Sequence, residues 1–401
     1  MKVALINSVA GFGSTGRIVD ALASLEGIQG KIYYGRKENL AKAETFRMTH
    51  FLGNVHHVIQ TFLFDTHGFH NQEETKKLIA DLKEFQPDVI HLHNLHGYYL
   101  NVELLFAYLK ETKTKVIWTL HDCWTFTGHC AHYEAIECEK WKVECKDCPA
   151  LRQYPSTWNG SHVKDNYYRK KEVFTSLPIE QLTIVTPSEW LKAQVKQSFL
   201  KDYEVKVIPT GIDLMKFKPI KSSFRKENHL EDKTVLLAVS SVWTKEKGLS
   251  DLQALSHRLK ENEIFVVVGI SEKQKKGFNE RNTILIQRTN AIQELCALYS
   301  MADVLLNLTY QDTFPTVNIE ALACGCPVLT YQTGGSPEIL DENTGWVVEK
   351  GNLDKVQEVI NQLEITNKEK KKQMCVEKAS YYTVDRMLKA YQVLYLGSQN
   401  D

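Results

Sequence analysis

DVLLNLTYQDTFPTVNIEALACGCPV, residues 303–328, carries a strand, a turn, a helix and the opening of a second strand. The run Val304-Leu305-Leu306 is short, wholly apolar and ends near Leu308, as a strand buried on both faces does. Pro315 suits the first turn of a helix, where its fixed φ helps and its missing N–H costs nothing. Gly325 suits the end of that helix, where a left-handed residue closes the last turn. Pro327–Tyr331 then reads as the next buried strand. Strand, helix and strand in such succession call for a parallel sheet with helices on both faces.

The same rhythm extends outward from this stretch. In the second half it takes in Thr234–Val239, Ile264–Val268 and Thr283–Ile286. In the first half it takes in Val3–Asn7, Lys31–Tyr34, Asp88–His93, Lys115–Leu120, Leu182–Pro187 and Val205–Pro209. Between the halves, Pro209–Leu214 and a polar stretch to Lys233 break the pattern. A chain of 401 residues exceeds what one core usually covers, so two α/β domains of roughly 200 residues each are expected. Their expected bounds are 1–210 and 211–380, with 381–401 as a C-terminal helix packing back on the first domain. Residues from about 125 to 168, rich in Cys, His, Trp and Tyr, do not fit the rhythm and read as an insert.

Composition narrows the function. Lys plus Arg and Asp plus Glu each number 49, so no global field favours nucleic acid, and any phosphate site must be local. No apolar run is long enough for a membrane span, and Val3–Ile6 is too short for a signal-peptide core. The expectation is a cytoplasmic protein.

Three features ask for chemistry. Gly11-Phe-Gly-Ser-Thr-Gly16 is a G-x-G-x-x-G between a strand and a helix, yet the second strand ends Tyr33-Tyr34-Gly35-Arg36-Lys37 without the acidic residue a dinucleotide ribose needs. A substrate-contacting loop is therefore favoured over a dinucleotide site, in which Arg36 would have to meet a 2′-phosphate, and over turn chemistry alone. Cys130, Cys138, Cys145 and Cys148, beside His129 and His132, would suit a closed zinc site or packed free thiols equally, and a disulfide less. His91, His93 and His96 alternate at a strand end, where lining a cleft or bonding within the core is favoured over holding a metal. On the helix of the opening stretch, the amides of Thr316 and Val317 would point from its start toward a phosphate. Glu320 is a carboxylate in an otherwise apolar helix, which is costly unless something bonds it, and Asp312 stands eight positions earlier.

At these residues the chain resembles retaining glycosyltransferases of the GT-B fold, the glycogen-synthase-like and mannosyltransferase-like group known as family 4. Asp312 and Glu320 stand at the spacing of that group's Glu-x7-Glu signature, with Asp312 one methylene shorter than the family's glutamate. Gly334-Gly335-x-x-Glu338, Val207–Asp213, Lys245-Glu-Lys-Gly248, Thr119-Leu-His-Asp122 and the Gly11–Gly16 loop match the group's other segments in order. Where the family carries an arginine before the Lys-Gly pair, this chain has Ser240–Trp243, which leaves Arg288 as a candidate replacement cation. The insert around Cys130 to Cys148 resembles members that assemble bacterial surface polysaccharide of the colanic-acid type.

The resemblance implies two Rossmann-like domains facing a central cleft. It implies a UDP- or GDP-linked sugar donor, a glycan or lipid-linked acceptor, transfer with retention and no catalytic cofactor. Glu320 would bond the ribose, with Asp312 at the sugar and phosphate end. Lys247, Thr316 and Val317 would hold the diphosphate, and Glu338 would lie near the sugar. His121 would act on the donor sugar, and Gly13 and Gly16 would lie against donor and acceptor. A membrane-associated enzyme of this kind would offer a basic face to anionic lipid, for which Tyr167–Lys171 with Lys164 is the candidate, although a solvated helix end is the favoured reading of that segment. The competing readings are a nucleotide-sugar epimerase or hydrolase on the same frame, and a non-catalytic nucleotide-sugar-binding subunit.

Overall fold

The computed structural model describes residues 1–363 and 368–397. In the first half, β1 (Lys2–Ala10), β2 (Gln29–Glu38), β3 (Glu44–Arg47), β4 (Val89–Leu92), β5 (Lys115–Thr119), β6 (Leu182–Thr186) and β7 (Glu204–Val207) form one sheet. Its order is β3-β2-β1-β4-β5-β6-β7 and every pairing is parallel. In the second half, β8 (Thr234–Val239), β9 (Glu263–Val268), β10 (Thr283–Ile286), β11 (Val304–Asn307), β12 (Val328–Tyr331) and β13 (Gly345–Val348) form another. Its order, β10-β9-β8-β11-β12-β13, is also parallel throughout.

The central strands are the continuous apolar runs of the sequence. Val3 through Ile6, for example, are fully buried, because helices cover both faces of a parallel sheet. The two strands that the sequence does not announce are the edges β3, Glu-Thr-Phe-Arg, and β13, Gly-Trp-Val-Val. An edge strand pairs on one side only and needs less apolar surface, so its signal is weak.

The chain divides into two compact units, Met1–Ile208 together with the chain from Leu388, and Pro209–Met387. The last described helix, Val384–Leu396, passes from the second unit into the first. There its Tyr391 and Tyr395 hydroxyls bond Thr119 Oγ1 at 2.9 Å and His91 Nδ1 at 2.6 Å. Residues 398–401 of the expected C-terminal helix lie outside the described residues.

The insert holds only three short 3₁₀ turns before the helix Val163–Phe174, and buries Trp124, Phe126, Tyr133 and Trp141 in the first unit's core. That helix corrects the expected basic face. Lys170 is buried, donating to the carbonyls of Trp124 at 2.8 Å and Thr127 at 3.1 Å, with its ammonium 3.6 Å from the Trp124 ring centre. Arg169 pairs with Glu103, while Lys164 and Tyr168 both engage Glu144. Burial pushes the Lys170 ammonium down to about 7, and the two carbonyls with the indole face replace the water it gave up.

Candidate active site

In the second unit the strand order reverses between β8 and β11, and open α/β sheets bind ligands outside the carboxyl ends of strands at such a point. Lys247 arrives there on the loop after β8, and Asp312 on the loop after β11. Their Nζ and Oδ2 lie 2.7 Å apart. The first loop is pinned against the second: the Glu246 carbonyl accepts from the Tyr310 amide at 2.8 Å. Gly248 has φ +81°, and a Cβ there would stand 2.1 Å from the Leu308 carbonyl oxygen. Only glycine permits this crossing.

Asp312 is held on two further sides. Its Oδ1 accepts from the Phe314 amide at 3.2 Å, and its carbonyl accepts from the Gly335 amide at 3.3 Å. The helix Thr316–Ala323 then begins after Pro315, and Thr316 and Val317 are half-buried at its first turn, whose amides no α-helix satisfies from within. Asn318 fixes that turn to the sheet, since its buried Oδ1 accepts from Asn307 Nδ2 at 2.7 Å. One turn on, Glu320 Oε2 accepts from the hydroxyl of Tyr299 at 3.2 Å. Burial first, and then Glu320, raise the Tyr299 phenol far above its usual range, so it stays a donor. Glu338 lies on the 3₁₀ turn Pro337–Ile339, three residues beyond Gly335, and is half-buried.

The structure thus brings Lys247, Asp312, the Gly335 loop and the start of the Thr316 helix together. It does not bring Arg288, which is exposed beyond β10, the edge strand two places from β8. In the stretch Ser240–Trp243, which stands where the family carries its arginine, Val242 is exposed and Trp243 is buried, its indole N–H donating to the Val268 carbonyl at 2.8 Å.

In the first unit the reversal lies between β1 and β4. The loop Gly11–Gly16 follows β1, and the Gly11 amide donates to the Gly16 carbonyl at 3.1 Å. Gly13 has φ +68° and open space where a side chain would stand, whereas a Cβ on Gly16 would meet Val9 at 3.1 Å. β2 runs to Glu38, so an acidic residue does end the second strand. It is committed elsewhere, accepting from the Tyr34 hydroxyl at 2.8 Å and the Thr45 hydroxyl at 3.1 Å.

His121 stands just past β5, its Nε2 3.1 Å from His93 Nδ1 with the two rings stacked. Burial pushes it down to about 4, which leaves a neutral imidazole near pH 7. Asp122 behaves oppositely: burial would raise its carboxyl, but His96 at 2.7 Å and the Trp124 amide at 2.9 Å hold it down to about 2. His91 is a core residue, with Nδ1 on the Tyr395 hydroxyl and Nε2 on Thr119 Oγ1 at 2.8 Å. The four insert cysteines are free thiols, and among the described residues no group of three or more His, Cys, Asp or Glu is arranged to hold a metal ion. Sequence reasoning missed the Tyr299–Glu320 and His96–Asp122 pairs, whose partners lie 21 and 26 positions apart with no period to reveal them.

Comparison with known proteins decides the family. The profile of glycosyl transferases group 1 matches residues 220–380, and that of glycosyltransferase family 4 matches residues 17–216. The chain belongs to the group 1/family 4 glycosyltransferases. This glycosyltransferase is 24% identical over 296 residues to the putative colanic acid biosynthesis glycosyl transferase WcaC of Escherichia coli K12, a match covering 71% of this chain and 69% of that one. It is 23% identical over 323 residues to an uncharacterized 41.2 kDa protein in the cps region of Klebsiella pneumoniae, covering 79% and 81%. Among solved structures it is similar to Anabaena HepE in complex with UDP, at a TM-score of 0.69 and 14% identity over 98% of this chain and 99% of that one. At that identity the likeness shows the GT-B fold.

Proposed function

We propose that this glycosyltransferase moves a hexosyl group, with retention, from a UDP- or GDP-sugar to a hydroxyl of a glycan or lipid-linked acceptor during surface-polysaccharide assembly. The observation that carries the reading is the convergence, at the second unit's switch point, of Lys247, Asp312 and the first turn of the helix Thr316–Ala323. A cation beside a helix N-terminus is an arrangement for a diphosphate, whose charge grows as the bond to the sugar breaks. The reading is supported by a structural neighbour solved with UDP and with UDP-glucose, and by relatives named for colanic acid and capsular polysaccharide synthesis.

In this reading Lys247 and the amides of Thr316 and Val317 hold the diphosphate. Glu320, oriented by Tyr299, bonds the ribose, and Asp312 and Glu338 serve the sugar end. Diphosphate binding draws Lys247 away from Asp312 and leaves that carboxylate to accept from a sugar hydroxyl. The acceptor oxygen bonds C1 on the face the phosphate leaves, and its proton passes to a phosphate oxygen. Each step uses protein groups and substrate alone. His121, neutral at pH 7, bears on the transfer step.

Contact with lipid falls on a different element from the basic helix. The helix Phe51–Phe64 carries no charged residue and exposes Phe51, Leu52, Val55, Val58, Ile59, Phe62, Leu63 and Phe64. A contiguous apolar face of that kind marks an interaction site, and a lipid-linked acceptor gives it a function. Among the described residues no helix is long and apolar enough to cross a membrane.

Melting curves with a panel of nucleoside diphosphates and nucleotide sugars identify the donor, because a ligand of the native state raises Tm by mass action. Transfer to a membrane-lipid extract, with the product's anomeric configuration read by NMR, then tests the reaction. A product of inverted configuration, or donor binding without transfer to any hydroxyl, contradicts it.

A further inference from the structure

Outside the nucleotide site, the insert of the first unit gathers soft donors around one small cavity. Cys130, Cys145 and Cys148 line it, with Cys138 and His129. Its free volume of about 10 Å³ is room for a single water-sized sphere.

His129 supplies a second, independent observation. It is 2% exposed, and its Nδ1 lies 2.6 Å from Asp65 Oδ1, so the carboxylate fixes the ring and keeps the proton on Nδ1. Nε2 is buried and has no hydrogen-bond partner. An unpaired acceptor in the interior is costly, and a histidine oriented by a carboxylate, with its other nitrogen bare, is the usual posture of a metal-bound imidazole. Asp65 is itself fixed, its carbonyl accepting from the Asn166 side-chain amide.

The segment is also poor in regular structure. Between β5 and the helix Val163–Phe174 it has three 3₁₀ turns and no strand, and such irregular segments are commonly held by a bound ion.

We propose that this cavity takes one zinc-class divalent cation, bound by the thiolates of Cys130, Cys145 and Cys148 and by Nε2 of His129, with Asp65 as the positioning carboxylate. In the ion-free arrangement the donors border the cavity without converging on one point, and among the described residues no three are placed to share an ion. Binding therefore includes closure of the side chains on the ion, with loss of the three thiol protons to solvent. Cys138 also borders the cavity and is left outside the ligand set, which three thiolates and one imidazole already complete as a tetrahedral four.

The test measures metal on the full chain, purified without chelator and again after reconstitution with zinc under reducing conditions. Expected are stoichiometric zinc and its release by a thiol-blocking mercurial. Asp65→Asn should weaken zinc about 10- to 100-fold, the range for loss of an orienting partner. His129→Ala should lose the ion, and Cys138→Ser should keep it. Substitution of cobalt(II) into the unaltered protein should give thiolate-to-metal charge transfer and the intense visible bands of a tetrahedral site, which keeps the test independent of whether variants fold. Background metal after reconstitution, a cobalt spectrum without those bands, or zinc kept by His129→Ala and lost by Cys138→Ser overturns the assignment.

Discussion

Lys247 and Asp312 lie 2.7 Å apart with side chains 40% and 21% exposed, so their attraction is screened by water and adds little to stability. Against the proposed diphosphate the same ammonium would make charge-assisted hydrogen bonds of about 1.5 to 3 kcal/mol. Lys247→Ala should therefore weaken nucleoside diphosphate binding by about 10- to 100-fold while moving the melting temperature little, a split that calorimetry and thermal melts on one preparation will read. The buried histidines predict a pH dependence. Burial lowers His91 to about 3 and His121 to about 4, against 6.5 for the unfolded chain. Between those limits the unfolded state binds more protons than the native one, so stability falls as pH drops below 6.5 and the loss continues to about 3. A Tm that is flat from pH 7 down to about 5 would contradict the burial of these rings.

At the scale of elements, Gly248 couples the lysine loop to the end of β11. Gly248→Ala adds a Cβ 2.1 Å from a carbonyl oxygen at a positive φ, a strain on the order of 1 to 3 kcal/mol before any clash is relieved. It should lower Tm and displace Lys247, so nucleotide binding falls with it. The apolar helix Phe51–Phe64 makes a separate prediction. Phe51→Asp with Leu52→Asp, at residues 72% and 79% exposed, should leave Tm nearly unchanged and abolish flotation with lipid vesicles. Vesicle binding unaltered by both aspartates would remove this helix from the account.

Much at this scale was legible in the sequence, because central strands of a parallel sheet must be apolar on both faces. Thr234–Val239 is the clearest example, its expected bounds being those of β8. The edges β3 and β13, freed from that demand, left no such mark. The site was legible in part. Pro315 and Gly325 announced the helix, but the Lys247–Asp312 pair joins residues 65 positions apart, and only the strand order brings them together. Lys170 was misread for a related reason: a lysine's charge marks it as surface until its carbonyl partners, 43 and 46 positions away, are known.

At the scale of the molecule, the groups proposed to bind the diphosphate lie in the second unit and His121 lies in the first. A residue of the first unit that bears on transfer and not on nucleotide binding should show it kinetically. His121→Ala should keep the nucleotide affinity and lower transfer by about 100-fold, the pattern of an interaction made mainly in the transition state. The central claim, a nucleoside diphosphate held by the second unit with its ribose on Glu320, is tested most directly by calorimetric titration of UDP and GDP into the unaltered protein and into Glu320→Ala. The account predicts that one of the two nucleotides binds, and that Glu320→Ala weakens it by about 1 to 3 kcal/mol, the cost of a lost charge-assisted hydrogen bond. Binding of neither nucleotide, or equal affinity in the two proteins, would contradict it.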